Sequence, residues 1–227
     1  MKFDSIVTAT LVVCAVITTG VVLRRELMTP AASPSLAERK PVLVPRWRDD
    51  LEKGIRLGPG AAPVQLIEFA DFESPFCGTF HQTLRVVRER YPTQVAATYV
   101  HFPPMHRFAI PAARVAECAG EQGRFEAMYD HLCDEQESFG LEPWSEFAAA
   151  AGVPDGGAFE TCIKRCTDPV PRVVDGQQLG KDLDVRATPT LIVNGWKLGH
   201  PPSEQGLDAM VKAVLEGKDP VPKAGKS

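Results

Sequence analysis

The chain has 227 residues, 44% of them hydrophobic and 24% charged, which is enough apolar material for one ordinary core plus an appendage. Its 25 Lys and Arg against 29 Asp and Glu give a net charge of −4, and the basic residues are scattered. That balance argues against a nucleic-acid partner, which needs a basic face, and no internal repeat points to a solenoid.

After a tail at residues 1–4, residues 5–23 (SIVTATLVVCAVITTGVVL) contain no charge. About twenty apolar residues span a bilayer core as a helix, so a transmembrane anchor is expected here. The rival is a cleaved signal sequence, whose apolar region would usually be about 7–15 residues long and end in a small-x-small site. No such site follows Leu23, and a lipobox at Cys14 fails because Val13 is not small and the apolar run continues. Lys2 on one side and Arg24-Arg25 on the other leave orientation unresolved by charge. Either reading sends the rest of the chain out of the cytoplasm. Residues 24–45, rich in Pro, Ala and Ser, read as a tether.

The ordered domain is expected over residues 46–219, with a tail at 220–227. It starts around Trp47 and turns through Gly58-Pro59-Gly60. Residues 64–69 (VQLIEF) form a short apolar run suited to a central strand covered on both faces. From Cys77 to Tyr91 the apolar residues Phe80, Leu84, Val87 and Tyr91 recur at helical spacing, and Pro92 ends the helix. Residues 95–102 (VAATYVHF) read as the next strand, making a right-handed β-α-β unit with parallel strands. From residue 110 to about 180 every periodic segment is helical. Residues 190–193, Asn194-Gly195 and 196–198 then predict a β-hairpin with a two-residue turn. Ser203 caps a last helix over 204–216, and Gly217 stops it.

Of the six cysteines, Cys14 lies in the apolar run and Cys77 at the strand–helix junction, leaving Cys118, Cys133, Cys162 and Cys166. In an oxidising space four cysteines can close two bridges, and at least one is expected. Cys162 and Cys166 lie one helical turn apart, so each is expected to pair with Cys118 or Cys133 rather than with the other. The plainer reading is four buried thiols acting as small hydrophobes. No pair has zinc-finger spacing, so no metal or other cofactor is expected. His81, His106, His131 and His200 lack ligand spacing and are expected to face solvent.

The junction itself reads Ser74-Pro75-Phe76-Cys77. Serine at the N-cap and proline at the first helical position is a favoured helix start, which leaves Cys77 in the first turn, where the helix dipole favours a thiolate. This junction, followed after a helical stretch by Ala187-Thr188-Pro189-Thr190 opening a second β-rich run, resembles the DsbA-like branch of the thioredoxin-fold family. The segment Tyr99-Val-His-Phe-Pro-Pro104 and the stretch 116–125 (AECAGEQGRF) add to the likeness, which covers roughly residues 47–217. Cys133 and Cys166 look like additions to the usual pattern.

The resemblance implies an α/β thioredoxin-like fold of order β-α-β, helical insertion, β-β-α, which would follow the N-terminal transmembrane helix expected from residues 5–23. It implies thiol-disulfide chemistry at Cys77, with Ser74 standing where dithiol relatives have the first cysteine, and with Glu68 as a buried acid that moves a thiol proton. A serine hydroxyl stays protonated and forms no disulfide, so ordinary dithiol exchange is not expected. Pro189 resembles the family's cis-proline, with Thr188, Pro75 and Phe76 lining the place where an extended substrate would lie. The implied partners are extracytoplasmic proteins or peptides carrying thiols or disulfides. Two functions stay open: a monothiol oxidoreductase working through Cys77 alone or with a distant thiol, and a non-catalytic module that binds peptides or a partner. His101 is expected to pack at a strand end rather than to catalyse.

Overall fold

A computed structural model describes residues 40–103, 107–165 and 170–221. The expected anchor at 5–23, most of the tether, His106 and Cys166 lie outside these residues. Among the described residues no helix is long and apolar enough to cross a membrane.

Six strands form one mixed sheet: β1 (Val42–Leu43), β2 (Ile55–Leu57), β3 (Val64–Ala70), β4 (Val95–His101), β5 (Thr190–Val193) and β6 (Trp196–Lys197). Their spatial order is β1-β6-β5-β3-β4-β2. Among the paired strands of the described residues, β3 and β4 alone run parallel, because α1 (Pro75–Arg90) connects them as a crossover helix. The remaining α-helices among the described residues are α2 (Ala109–Gly120), α3 (Phe125–Asp134), α4 (Trp144–Ala150), α5 (Gly156–Lys164), α6 (Pro171–Asp182) and α7 (Glu204–Leu215).

Strand β3 is buried along its whole length, and its period of two divides its side chains between two cores. Val64, Leu66 and Ala70 join Phe80, Leu84 and Val87 of α1 and the helices of the insertion. Ile67 and Phe69 face the other way, onto Trp47, Val100, Leu179 and Ile192. Each such aliphatic or aromatic side chain stabilises the fold by about 1.5–3 kcal/mol on burial. The same alternation puts Glu68 on the α1 side, a carboxylate in an apolar row.

The hairpin turn forms as expected, with φ of 43° at Asn194 and 92° at Gly195, the left-handed pair that a two-residue turn requires. The Asn194 side chain also bolts the turn to the start of β3, accepting from the Gln65 N–H at 2.8 Å and donating to the Pro63 carbonyl at 2.9 Å.

Two short strands escape the sequence reading. Val42 and Leu43, assigned above to the tether, pair antiparallel with Lys197 and Trp196, so the sheet begins before residue 46. Strand β2 pairs antiparallel with β4. Two or three residues are too few to show a period, and both strands exist only because a neighbouring strand offers an edge.

Cys118 of α2 and Cys162 of α5 form a disulfide with Cα atoms 5.8 Å apart, 44 positions apart in sequence. Closing a loop of that length stabilises by about 4 kcal/mol on the chain-entropy argument. Cys133 is a free, buried thiol, so the alternative partner for Cys162 is not used.

Candidate functional site

The site is built where β3 ends and α1 begins. The chain leaves the sheet at Ala70 and turns through Asp71–Ser74, closed by the Ser74 N–H donating to the Asp71 carbonyl at 3.1 Å and by the Glu73 N–H donating to the Asp71 side chain at 3.0 Å. Ser74 is the N-cap: its Oγ accepts from the Cys77 N–H at 3.4 Å, and Pro75 takes the first helical position. The Ser74 hydroxyl is therefore a cap, and Ser74 is itself only 4% exposed.

Cys77 is buried at 2% exposure. The expectation that the helix dipole would favour its thiolate is overturned by its surroundings. Burial, and after it the nearby Glu68 carboxylate, push the thiol up to about 12, against smaller opposing hydrogen bonds from the Asp71 backbone and the Ser74 and Thr188 hydroxyls. A fixed dipole at a helix end is weak beside the loss of water around a charged sulfur.

Glu68 lies beneath the thiol and is 1% exposed. Its carboxyl is raised to about 7 by burial, although the Tyr129 hydroxyl donates to it at 3.1 Å. Cys133, on the same helix as Tyr129, is raised well above the ordinary thiol range by burial and by Glu68. Both thiols therefore keep their protons at neutral pH, whereas Glu68 exchanges its proton near it.

Across from α1, the Thr188–Pro189 peptide bond is cis. The Thr188 hydroxyl bonds the Cys77 thiol, so the loop and the motif face each other. Pro189 is buried and Thr188 half-buried. No backbone hydrogen bond among the described residues engages the N–H or C=O of Thr188, which leaves an open edge where β5 has not yet begun. On the rim stands Phe76, 74% exposed, next to exposed Pro75. The structure thus brings Ser74, Cys77, Glu68, Thr188 and Pro189 together and leaves Cys118 and Cys162 in the bridge of the helical insertion.

Some contributors carried no sequence signal. Gln136, just past the end of α3, donates to the Phe72 and Ser74 carbonyls at 2.6 and 2.9 Å and clamps the turn before α1. Tyr129 satisfies Glu68 from 61 positions away. His81 does not face solvent as expected; it is 1% exposed, both ring nitrogens lack hydrogen-bond partners, and burial lowers it to about 4. His131 lies against Phe147, and His200 is exposed. His101 is buried at the end of β4 with its Nε2 2.9 Å from Glu117.

A sequence profile of the family described as Thioredoxin matches residues 50–213. The chain belongs to this family. Solved structures share the fold. Oxidised BdbD from Bacillus subtilis superposes with a TM-score of 0.66 at 18% identity, over 79% of this chain and 100% of that one. A thioredoxin-like oxidoreductase from Silicibacter pomeroyi gives 0.63 at 21% identity, over 74% and 98%. A periplasmic thioredoxin-like protein from Salmonella enterica gives 0.60 at 18%, over 77% and 99%.

Curated relatives are of another kind. The Na(+)/H(+) antiporter NhaA 1 of Mycolicibacterium vanbaalenii is 35% identical over 137 residues, 59% of this chain and 22% of the antiporter. NhaA 3 of Salinispora tropica is 31% identical over 172 residues, 74% of this chain and 26% of the antiporter. The chain spans about a quarter of the length of these relatives.

Proposed function

We propose that the domain is a polypeptide-binding member of the thiol-disulfide oxidoreductase family, held at the extracytoplasmic face of a membrane by residues 5–23, with Cys77 silent as a nucleophile at neutral pH. One observation carries this reading: the Thr188 backbone is open to an added strand, while the thiol beside it is 2% exposed and held near 12. An extended peptide could complete the ladder there through main-chain hydrogen bonds, and Phe76 offers apolar contact at the rim. No thiolate is needed for that.

The location is supported by several independent features. The uncharged run is long enough to span a bilayer. The Cys118–Cys162 bridge suits an oxidising space. A structural neighbour is described as periplasmic, and relatives described as antiporters carry a matching domain within longer chains. Orientation is tested by adding protease to spheroplasts, which should digest the domain while sparing cytoplasmic markers; protection until lysis would place it inside.

A second reading, monothiol exchange at Cys77, is favoured by the Ser74 and Thr188 hydroxyls that bond the thiol. Full-length protein with Cys77→Ala separates the two. Retained binding of an extended, cysteine-free peptide supports the binding module. In the natural protein, a mixed disulfide formed when Cys77 attacks a disulfide-linked peptide and releases its other half as a thiol, with no binding of the serine counterpart, would establish the monothiol instead.

A further inference from the structure

Beside the cis-proline loop lies a cleft of about 450 Å³ bounded by Phe102, Pro103, Gln177, Lys181, Arg186 and Thr188. Its floor and wall follow from two glycines in α6. A Cβ at Gly176 would stand 2.1 Å from the His101 carbonyl oxygen, and one at Gly180 would stand 2.2 Å from the Phe102 ring. Only glycine lets the helix lie this close to the end of β4. The next residues along, Gln177 and Lys181, share the spacing of four and so line up on one face above Phe102. Gln177 is fixed by donating to the Pro103 carbonyl at 3.3 Å.

The charge on this wall is one-sided. Arg186 is paired with Asp184. The Lys181 ammonium has no side-chain partner among the described residues, and no carboxylate lines the cleft. Lys181 is exposed at the edge of the cleft, so its unpaired charge is available to a ligand and is screened by salt.

We infer that this cleft selects an acidic side chain of the bound polypeptide, with Lys181 as the specificity-determining residue and Arg186 as a secondary cation. The inference rests on the polypeptide-binding reading and adds the chemistry of the partner. A strand laid along Thr188 turns every second side chain to the same side. A carboxylate is therefore favoured at alternate positions of the peptide and gains nothing at the intervening ones.

The test uses full-length protein in detergent micelles, titrated by fluorescence anisotropy with short labelled Ser/Thr/Val peptides carrying one Glu, Gln or Lys at successive positions. Glu peptides should bind about two- to fivefold tighter than Gln peptides at alternate positions, the range of a partly exposed ion pair, and the difference should shrink with added salt. Lys181→Gln should remove the preference, and Lys181→Glu should turn it toward Lys. Equal affinity of Glu, Gln and Lys peptides at every position would overturn the inference while leaving polypeptide binding intact. A Glu preference that survives the double change Lys181→Gln and Arg186→Gln would overturn it as well. Failure of every peptide to bind would overturn the polypeptide-binding reading itself, and this inference with it.

Discussion

The two halves of the site have gone different ways. On the α1 side, Ser74 and Cys77 are 4% and 2% exposed and spend their polar groups on capping and on each other's surroundings. On the loop side, Thr188 is half-buried and keeps both backbone polar groups without a backbone partner among the described residues. In a dithiol enzyme these halves serve one reaction, since the loop presents the substrate that the thiolate attacks. Their difference here teaches that the two halves are separable on this fold: burial seals the α1 half, while the loop half stays open.

The largest test of that contrast is thiol reactivity. With Cys77 pushed from 9.0 to about 12, its thiolate fraction at neutral pH falls by about a thousandfold. Alkylation of Cys77 in the native protein, followed by peptide mapping, should be slower by at least that factor than in the denatured chain at the same pH. Labelling at comparable rates would dissolve the contrast.

Next comes Ser74→Cys, which places a second thiol at the helix start, within reach of Cys77. It is expected to raise oxidation of a reduced peptide by about a hundredfold or more, because the variant, first oxidised to a disulfide between position 74 and Cys77, offers a bond that the peptide thiolate attacks and leaves reduced. Natural protein that oxidises the peptide as fast as the variant would mean that the sealed half is not sealed.

Glu68 provides a pH test of the same burial. An acid whose folded value is raised costs stability as pH climbs from its ordinary value of 4.5 through about 7, because the folded state holds the proton longer than the unfolded one. Glu68→Gln should therefore be more stable than the natural protein at pH 8, by as much as about 3 kcal/mol, and the advantage should vanish below pH 4.5. Denaturant midpoints across pH report it; a pH-independent difference would show that Glu68 is hydrated.

The smallest effects sharpen the division of labour. Ser74→Ala removes the cap and should cost about 1 kcal/mol of stability with peptide affinity unchanged. Phe76→Ala should do the reverse, since its ring is 74% exposed, lowering peptide affinity about fivefold with no change in melting temperature. If Ser74→Ala weakened binding and Phe76→Ala weakened folding, the two roles would be exchanged.

Much of this was legible in the chain. The β-α-β start, the helical insertion, the Asn-Gly hairpin and the capped last helix each carry a local signal: a periodicity of apolar residues, a turn pair that tolerates positive φ, or a capping side chain. Ser74 could be read as an N-cap for the same reason, since the cap lies within three residues of the N–H it satisfies. Such features depend on neighbours in sequence, and the sequence by itself determined them. Tertiary packing decided the rest. Strands of two or three residues at Val42–Leu43 and Ile55–Leu57 form only against a finished sheet. Cys118 rather than Cys133 meets Cys162, a choice among thiols that spacing leaves open. Cys77 sits at a helix start that would favour its thiolate, yet burial in the closed core, and after it the Glu68 carboxylate, keep it protonated. The dipole is a property of the helix alone, whereas desolvation depends on everything packed around the sulfur, and that is settled only when distant segments meet.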